Sequence, residues 1–119
     1  MIDKATFLVP LFVSIVHGVI NVSYITLFGF NRGVHFYNVI GDITAYIYHL
    51  VYYLVVTLIS RRLGYSLARV TMIFAGAILM GRLFLLLFFD AKMDGHEFPT
   101  LFAIASTSIP VFDRLFRRV

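Results

Sequence analysis

Six of the polar side chains in the strongly apolar stretches of this sequence could form one inward-facing cluster. They are His17, Asn21, Asp42, Tyr46, His49 and Arg82. A polar side chain is costly in hydrocarbon, and it is retained there mainly where it binds, conducts or holds helices together. We therefore treat these six residues as one candidate intramembrane polar cluster.

The spacing of these residues places them on single helix faces. His17 and Asn21 are separated by four positions, and Asp42, Tyr46 and His49 follow at intervals of four and three. A helix rises about 1.5 Å per residue, so we expect the two histidines to share one depth on neighbouring antiparallel helices.

Arg82 needs a partner of its own in such a setting. The guanidinium cannot lose its proton in a protein, so in the membrane it must be paired or hydrated. Two arrangements fit: a direct pair with Asp42, for which Arg82 must extend along its helix, or a bond to Tyr46 with water bridging to Asp42.

Three kinds of chemistry fit this cluster. Two histidines that bridge helices as hydrogen-bonded core residues would simply hold the fold together, which is the common role of such side chains. A carboxylate, an imidazole and a tyrosine could instead relay protons or ions, for which so small a chain would have to form a homo-oligomer. Finally, His17 and His49 could be the axial ligands of a haem b. We expect no cofactor, and haem b is the alternative.

The composition predicts that the elements carrying these residues are membrane helices. Of 119 residues, 61% are hydrophobic and 13% are charged, against about half and a quarter in soluble domains. This balance excludes an ordinary water-soluble domain and a disordered chain. The formal net charge is +4. The cations lie between the apolar runs, so they indicate membrane topology and no nucleic-acid partner.

We predict a single all-α domain over residues 1–119, a four-helix transmembrane bundle. Crossing about 30 Å of hydrocarbon takes about 20 residues, and candidate helices cover about 5–30, 39–60, 67–89 and 98–115. Gly64 is expected to end the second helix. The fourth is short, and Pro110 should kink it. The alternative for 98–115 is a segment lying in the plane of the membrane interface.

Basic residues predict the orientation of the bundle, because they favour the inner side of a membrane. Four spans with both termini inside collect most of the cations there. These inner-face basic residues are Arg61, Arg62, Arg69, Arg114, Arg117 and Arg118, together with Lys4. Asp113 should pair with Arg117 one helical turn later.

The sequence lacks a recognisable catalytic set, so we expect a protein that is not an enzyme. The leading hypothesis is an accessory, regulatory or immunity-type subunit in a bacterial inner membrane. Its partners would be the lipid bilayer and another membrane protein, or further copies of itself. Ala77 and Gly81 have the four-residue spacing of small residues at helix–helix contacts in membranes. The alternatives are a homo-oligomeric proton or ion channel or small transporter, and a haem b electron carrier.

Overall fold

The computed structural model describes residues 3–27, 43–88 and 97–118, and these parts form five helices without a strand among them. The helices are α1 (Lys4–Leu27), α2 (Ile43–Leu63), α3 (Leu67–Phe88), α4 (Glu97–Ser106) and α5 (Ile109–Arg118). The prediction of an all-α chain is confirmed.

The turn between α2 and α3 follows from its local sequence. Gly64 adopts a φ of 74°, a left-handed conformation that is inexpensive only for glycine. Its N–H donates to the carbonyl of Ser60 at 2.9 Å. Ser66 then caps α3, because its Oγ accepts a hydrogen bond from the N–H of Arg69 at 3.2 Å. The predicted glycine stop after α2 is confirmed.

The single helix predicted for 98–115 is instead divided into α4 and α5. Pro110 has no N–H to donate, and its ring crowds the carbonyl four residues earlier. The hydroxyls in the turn bond back to backbone carbonyls and compete with helix continuation. These bonds run from Ser106 to Ala103 (2.7 Å), from Thr107 to Ile104 (2.6 Å) and from Ser108 to Ala105 (2.6 Å). The sequence therefore produces a break where we predicted a kink.

The apolar core lies between α1, α2, α4 and α5. Its buried members are Ala5, Val9, Val13, Tyr53, Ala105 and Ile109. The helix α3 contributes Thr71, Ala75 and Arg82 to the interior and contacts α2, α4 and α5. Its opposite face is exposed, which leaves a long apolar surface on one side of the molecule.

Two helices, α1 over Lys4–Ser23 and α3 over Leu67–Phe88, are long and apolar enough to cross a membrane. The helix α2 is long enough but carries tyrosines, a histidine and two arginines. The ten residues of α4 and of α5 reach about 15 Å each, about half of a hydrocarbon core. The structure therefore confirms a helical bundle with two candidate membrane spans, but it does not confirm four transmembrane helices.

Candidate functional site

A buried pair of histidines joins α1 to α2. Nδ1 of His17 lies 2.9 Å from Nε2 of His49, and the two rings meet edge to face with centroids 5.2 Å apart. His49 is 0% exposed and His17 is 6% exposed. One imidazole donates its N–H and the other accepts, so the pair satisfies two polar groups that would be costly to bury alone.

Aromatic rings from α2 and α4 enclose this histidine pair. The ring of Phe102 stacks on His49 with centroids 4.2 Å apart and an interplanar angle of 9°. Tyr52 meets the same Phe102 ring edge to face at 5.0 Å. Phe102 was not among the predicted site residues, because it has no chemistry of its own and belongs to the site by packing.

The geometry of the pair does not fit a haem. Bonds between imidazole nitrogen and a metal are about 2 Å long, so axial ligands on opposite sides of one iron hold their nitrogens about 4 Å apart. The nitrogens of His17 and His49 are 2.9 Å apart, and Phe102 covers one face of the His49 ring. Among the described residues, no group of three histidines or carboxylates is placed to hold a metal ion.

The structure does not bring the other predicted members together as expected. The hydroxyl of Tyr46 donates to the carbonyl of Phe7 at 3.3 Å, and Nε of Arg82 donates to the hydroxyl of Thr100 at 3.4 Å. The expected bond between Tyr46 and Arg82 is therefore replaced by one contact with α1 and one with α4.

The remaining members are Asn21 and Asp42. Asn21 lies one turn after His17 on α1 and is partly exposed. Asp42 lies outside the described residues.

The contact of Tyr46 departs from the other contacts between α1 and α2. His17 with His49, and Thr6 with Thr57, follow the order of antiparallel neighbours. Phe7 and His17 are about 15 Å apart along α1, whereas their partners Tyr46 and His49 are about 4.5 Å apart along α2. Equal depth on antiparallel helices therefore identifies the partner of His49 but not that of Tyr46.

A second polar network, not foreseen as a whole, joins the two ends of the chain. Nε of Arg117 donates to Asp113 at 2.8 Å, which confirms the predicted pair one turn apart. Nη1 of Arg117 donates to Asp3 at 2.7 Å, and its Nη2 donates to the hydroxyl of Tyr53 at 2.9 Å. Tyr53 in turn donates to Asp113. We call this group the Arg117 network.

The carboxylate of Asp3 also caps α1. It accepts the N–H of Thr6 at 3.1 Å, while its own N–H donates to the Thr6 hydroxyl at 3.2 Å. Burial acts to raise the pKa of Asp3, but the hydrogen bonds from Thr6 and the charge of Arg117 outweigh it and lower the pKa. This contribution to stability is present above the ordinary pKa of Asp3 and is lost as the pH falls through the lowered value.

We expect Arg117→Gln to lower the free energy of unfolding in detergent by about 1 kcal/mol, because three hydrogen bonds are lost in a partly exposed setting. Arg114→Gln is the matched control, since Arg114 is an exposed arginine on the same helix. Chemical unfolding of both variants at neutral pH measures the difference. Equal stability of the two variants would contradict a structural role for the network.

The other inner-face basic residues differ in their surroundings. Arg61 lines a cavity together with Arg117, and the guanidinium of Arg69 lies 4.8 Å from the ring centroid of Tyr65. Arg62 and Arg114 are exposed. The side chain of Arg118 lies outside the described residues.

No protein-family model, curated protein or solved structure matches this chain.

Proposed function

We propose that this protein is a non-enzymatic accessory subunit of a bacterial inner membrane that binds a larger membrane protein through the exposed face of α3. Its polar interior holds the bundle together. The observation that carries the proposal is a pair of small residues, Ala77 and Gly81, at the surface of an apolar helix.

Two features support the location in a membrane. The helices α1 and α3 have the length and apolar composition of membrane spans. The ion pair between Asp3 and Arg117 holds the two ends of the chain together, so both lie on one side of any membrane that the chain crosses. That favours an even number of crossings and agrees with the basic residues near both ends.

The exposed face of α3 has the form of a helix-docking surface. Ala77 and Gly81 lie one turn apart, and Ile73, Phe84 and Phe88 flank them on the same side of the helix. A Cβ added at Gly81 would meet no described atom within 4 Å. Packing within the described chain therefore does not require glycine here, whereas a second helix that approaches the backbone closely does.

The experiment compares two substitutions of glycine on the same helix. Gly81→Ile should abolish co-purification with the partner, because the larger side chain blocks close backbone approach. Gly76 is equally exposed, and a Cβ there also meets nothing within 4 Å. It is turned about 140° away around the helix, so Gly76→Ile is the matched control and should leave the complex intact.

Cross-linking in intact membranes, followed by affinity purification in mild detergent, reads out the complex. Complexes containing only this chain would replace the accessory role by self-association. Equal recovery of partner with both variants would overturn docking through this face.

A proton relay is the second candidate, and the hydrogen bond between the two histidines favours it. Nδ1 of His49 is buried and has no hydrogen-bond partner among the described residues. It could therefore pass a proton to or from a further group. Proteoliposomes with an internal pH dye test this candidate. A proton flux removed by His49→Gln but kept in the exposed control Ile47→Leu would establish conduction, whereas flux at the level of empty liposomes would exclude it.

A further inference from the structure

A cavity of about 270 Å³ lies where the beginning of α1, the last turns of α2 and the end of α5 meet. The residues that line it include Thr6, Leu54, Thr57, Leu58, Arg61 and Arg117. Its volume is slightly below the range of pockets that enclose whole drug-sized molecules. It can therefore hold the polar end of a larger molecule.

One end of the cavity offers hydrogen-bond donors for an anion. Arg61 has no carboxylate within 4 Å among the described residues. The hydroxyl of Thr57 is buried and has no hydrogen-bond partner there. Arg117 is occupied by Asp3 and Asp113, so Arg61 is the cation that remains available to a ligand.

Part of the cavity wall is apolar, although Thr6 and Tyr53 also line it. Leu54, Leu58 and Arg61 follow one another at intervals of four and three residues, so they line a single face of α2. That face runs over about 10 Å from a leucine to a guanidinium. A ligand that matches it has an anionic group at one end and a hydrocarbon part at the other.

We infer that this cavity binds an anionic phospholipid, with the phosphate held by Arg61 and Thr57 and the glycerol and first acyl carbons lying along Leu54 and Leu58. The inference rests on the proposed membrane location. The surrounding charge favours an anionic lipid, because Lys4, Arg62 and Arg114 add three further cations near this end of the bundle. Inorganic phosphate shares the chemistry of the polar end but makes no use of the leucines.

Native mass spectrometry of the delipidated protein, titrated with phosphatidylglycerol or phosphatidylcholine, tests the site. Arg61→Gln should weaken binding of the first phosphatidylglycerol about tenfold, the factor expected for a lost hydrogen bond between charged groups. Arg62→Gln removes the same charge at the neighbouring position, outside the cavity lining, and should weaken it less than twofold. Thr57→Val, which leaves the charge unchanged, should weaken it about threefold because a hydrogen bond is lost.

Three results would overturn the inference. Equal losses in Arg61→Gln and Arg62→Gln would mean that surface charge alone attracts the lipid. Displacement of phosphatidylglycerol by millimolar inorganic phosphate would assign the site to a free anion. Phosphatidylcholine binding as tightly as phosphatidylglycerol would remove the preference for an anionic lipid.

If the proposed membrane location is wrong, alkaline carbonate should release the protein from membranes, which none of these three results involves. Retention in the membrane together with any of the three results above would therefore reject the lipid site alone.

Discussion

The variant His49→Leu is expected to lose about 2–4 kcal/mol of unfolding free energy in detergent, measured by denaturant titration. The substitution nearly preserves volume but removes the hydrogen bond that joins the His17 and His49 rings at 2.9 Å. Loss of this hydrogen bond at the buried Nδ1 of His17 costs about 1–3 kcal/mol, and loss of the stacked contact with Phe102 adds about 0.5–1.5 kcal/mol.

The double variant His17→Leu/His49→Leu separates pairing from packing. Replacing both partners of a buried hydrogen bond by apolar groups leaves neither unsatisfied. We therefore expect the double variant to be more stable than the sum of the two single losses predicts, by about 1–2 kcal/mol. Ile47→Leu on the exposed side of α2 is the control and should change stability by less than about 0.5 kcal/mol. Additive losses would show that the rings do not interact.

The second large effect is expected at Ile109, the first residue of α5. Its side chain is 0% exposed and packs in the core with Val9 and Val13 of α1. Ile109→Ala should lower the unfolding free energy by about 2–4 kcal/mol, because it removes three carbons and leaves a cavity that the helices close only in part.

Val111 provides the matched control for Ile109. It lies two residues further along α5 and is 66% exposed, so Val111→Ala should change stability by less than about 0.5 kcal/mol. The comparison also tests where α5 lies. A segment lying apart in the membrane interface would make the two substitutions similar in effect, which would contradict the packing of α5 on α1.

Helix types and helix ends could be predicted from the sequence because their causes are local. The apolar runs, the glycine after Leu63 and the proline at 110 each act within a few residues, and each determines a helix or its end. The break before Pro110 was underestimated because three consecutive hydroxyl side chains add their backbone bonds to the effect of the proline.

The candidate site was only partly predictable, because its contacts depend on how helices cross. The shared helical spacing selected His17 and His49, which the structure places in contact. The same reasoning compared depths alone and therefore paired Tyr46 with Arg82, whereas the Tyr46 hydroxyl bonds to the backbone carbonyl of Phe7 on α1.

The Arg117 network was predicted only where it is local. The pair of Asp113 and Arg117 follows from their spacing on one helix. Asp3 is 114 residues from Arg117 and Tyr53 is 64 residues from it, and no periodicity in the sequence relates such distant positions. An acidic residue directly before α1 and a tyrosine inside an apolar helix were the signals that could have suggested it.

Labelling of single cysteines in intact cells tests most directly the central claim that the chain crosses a membrane with both ends on the inner side. The natural sequence contains no cysteine, so each introduced thiol reports alone. An impermeant maleimide should label Arg32→Cys and Lys92→Cys, whereas Arg62→Cys and Arg114→Cys should react only after the cells are permeabilised. Labelling of Arg114→Cys from outside together with Lys92→Cys, or recovery of the variants in the soluble fraction, would contradict the account.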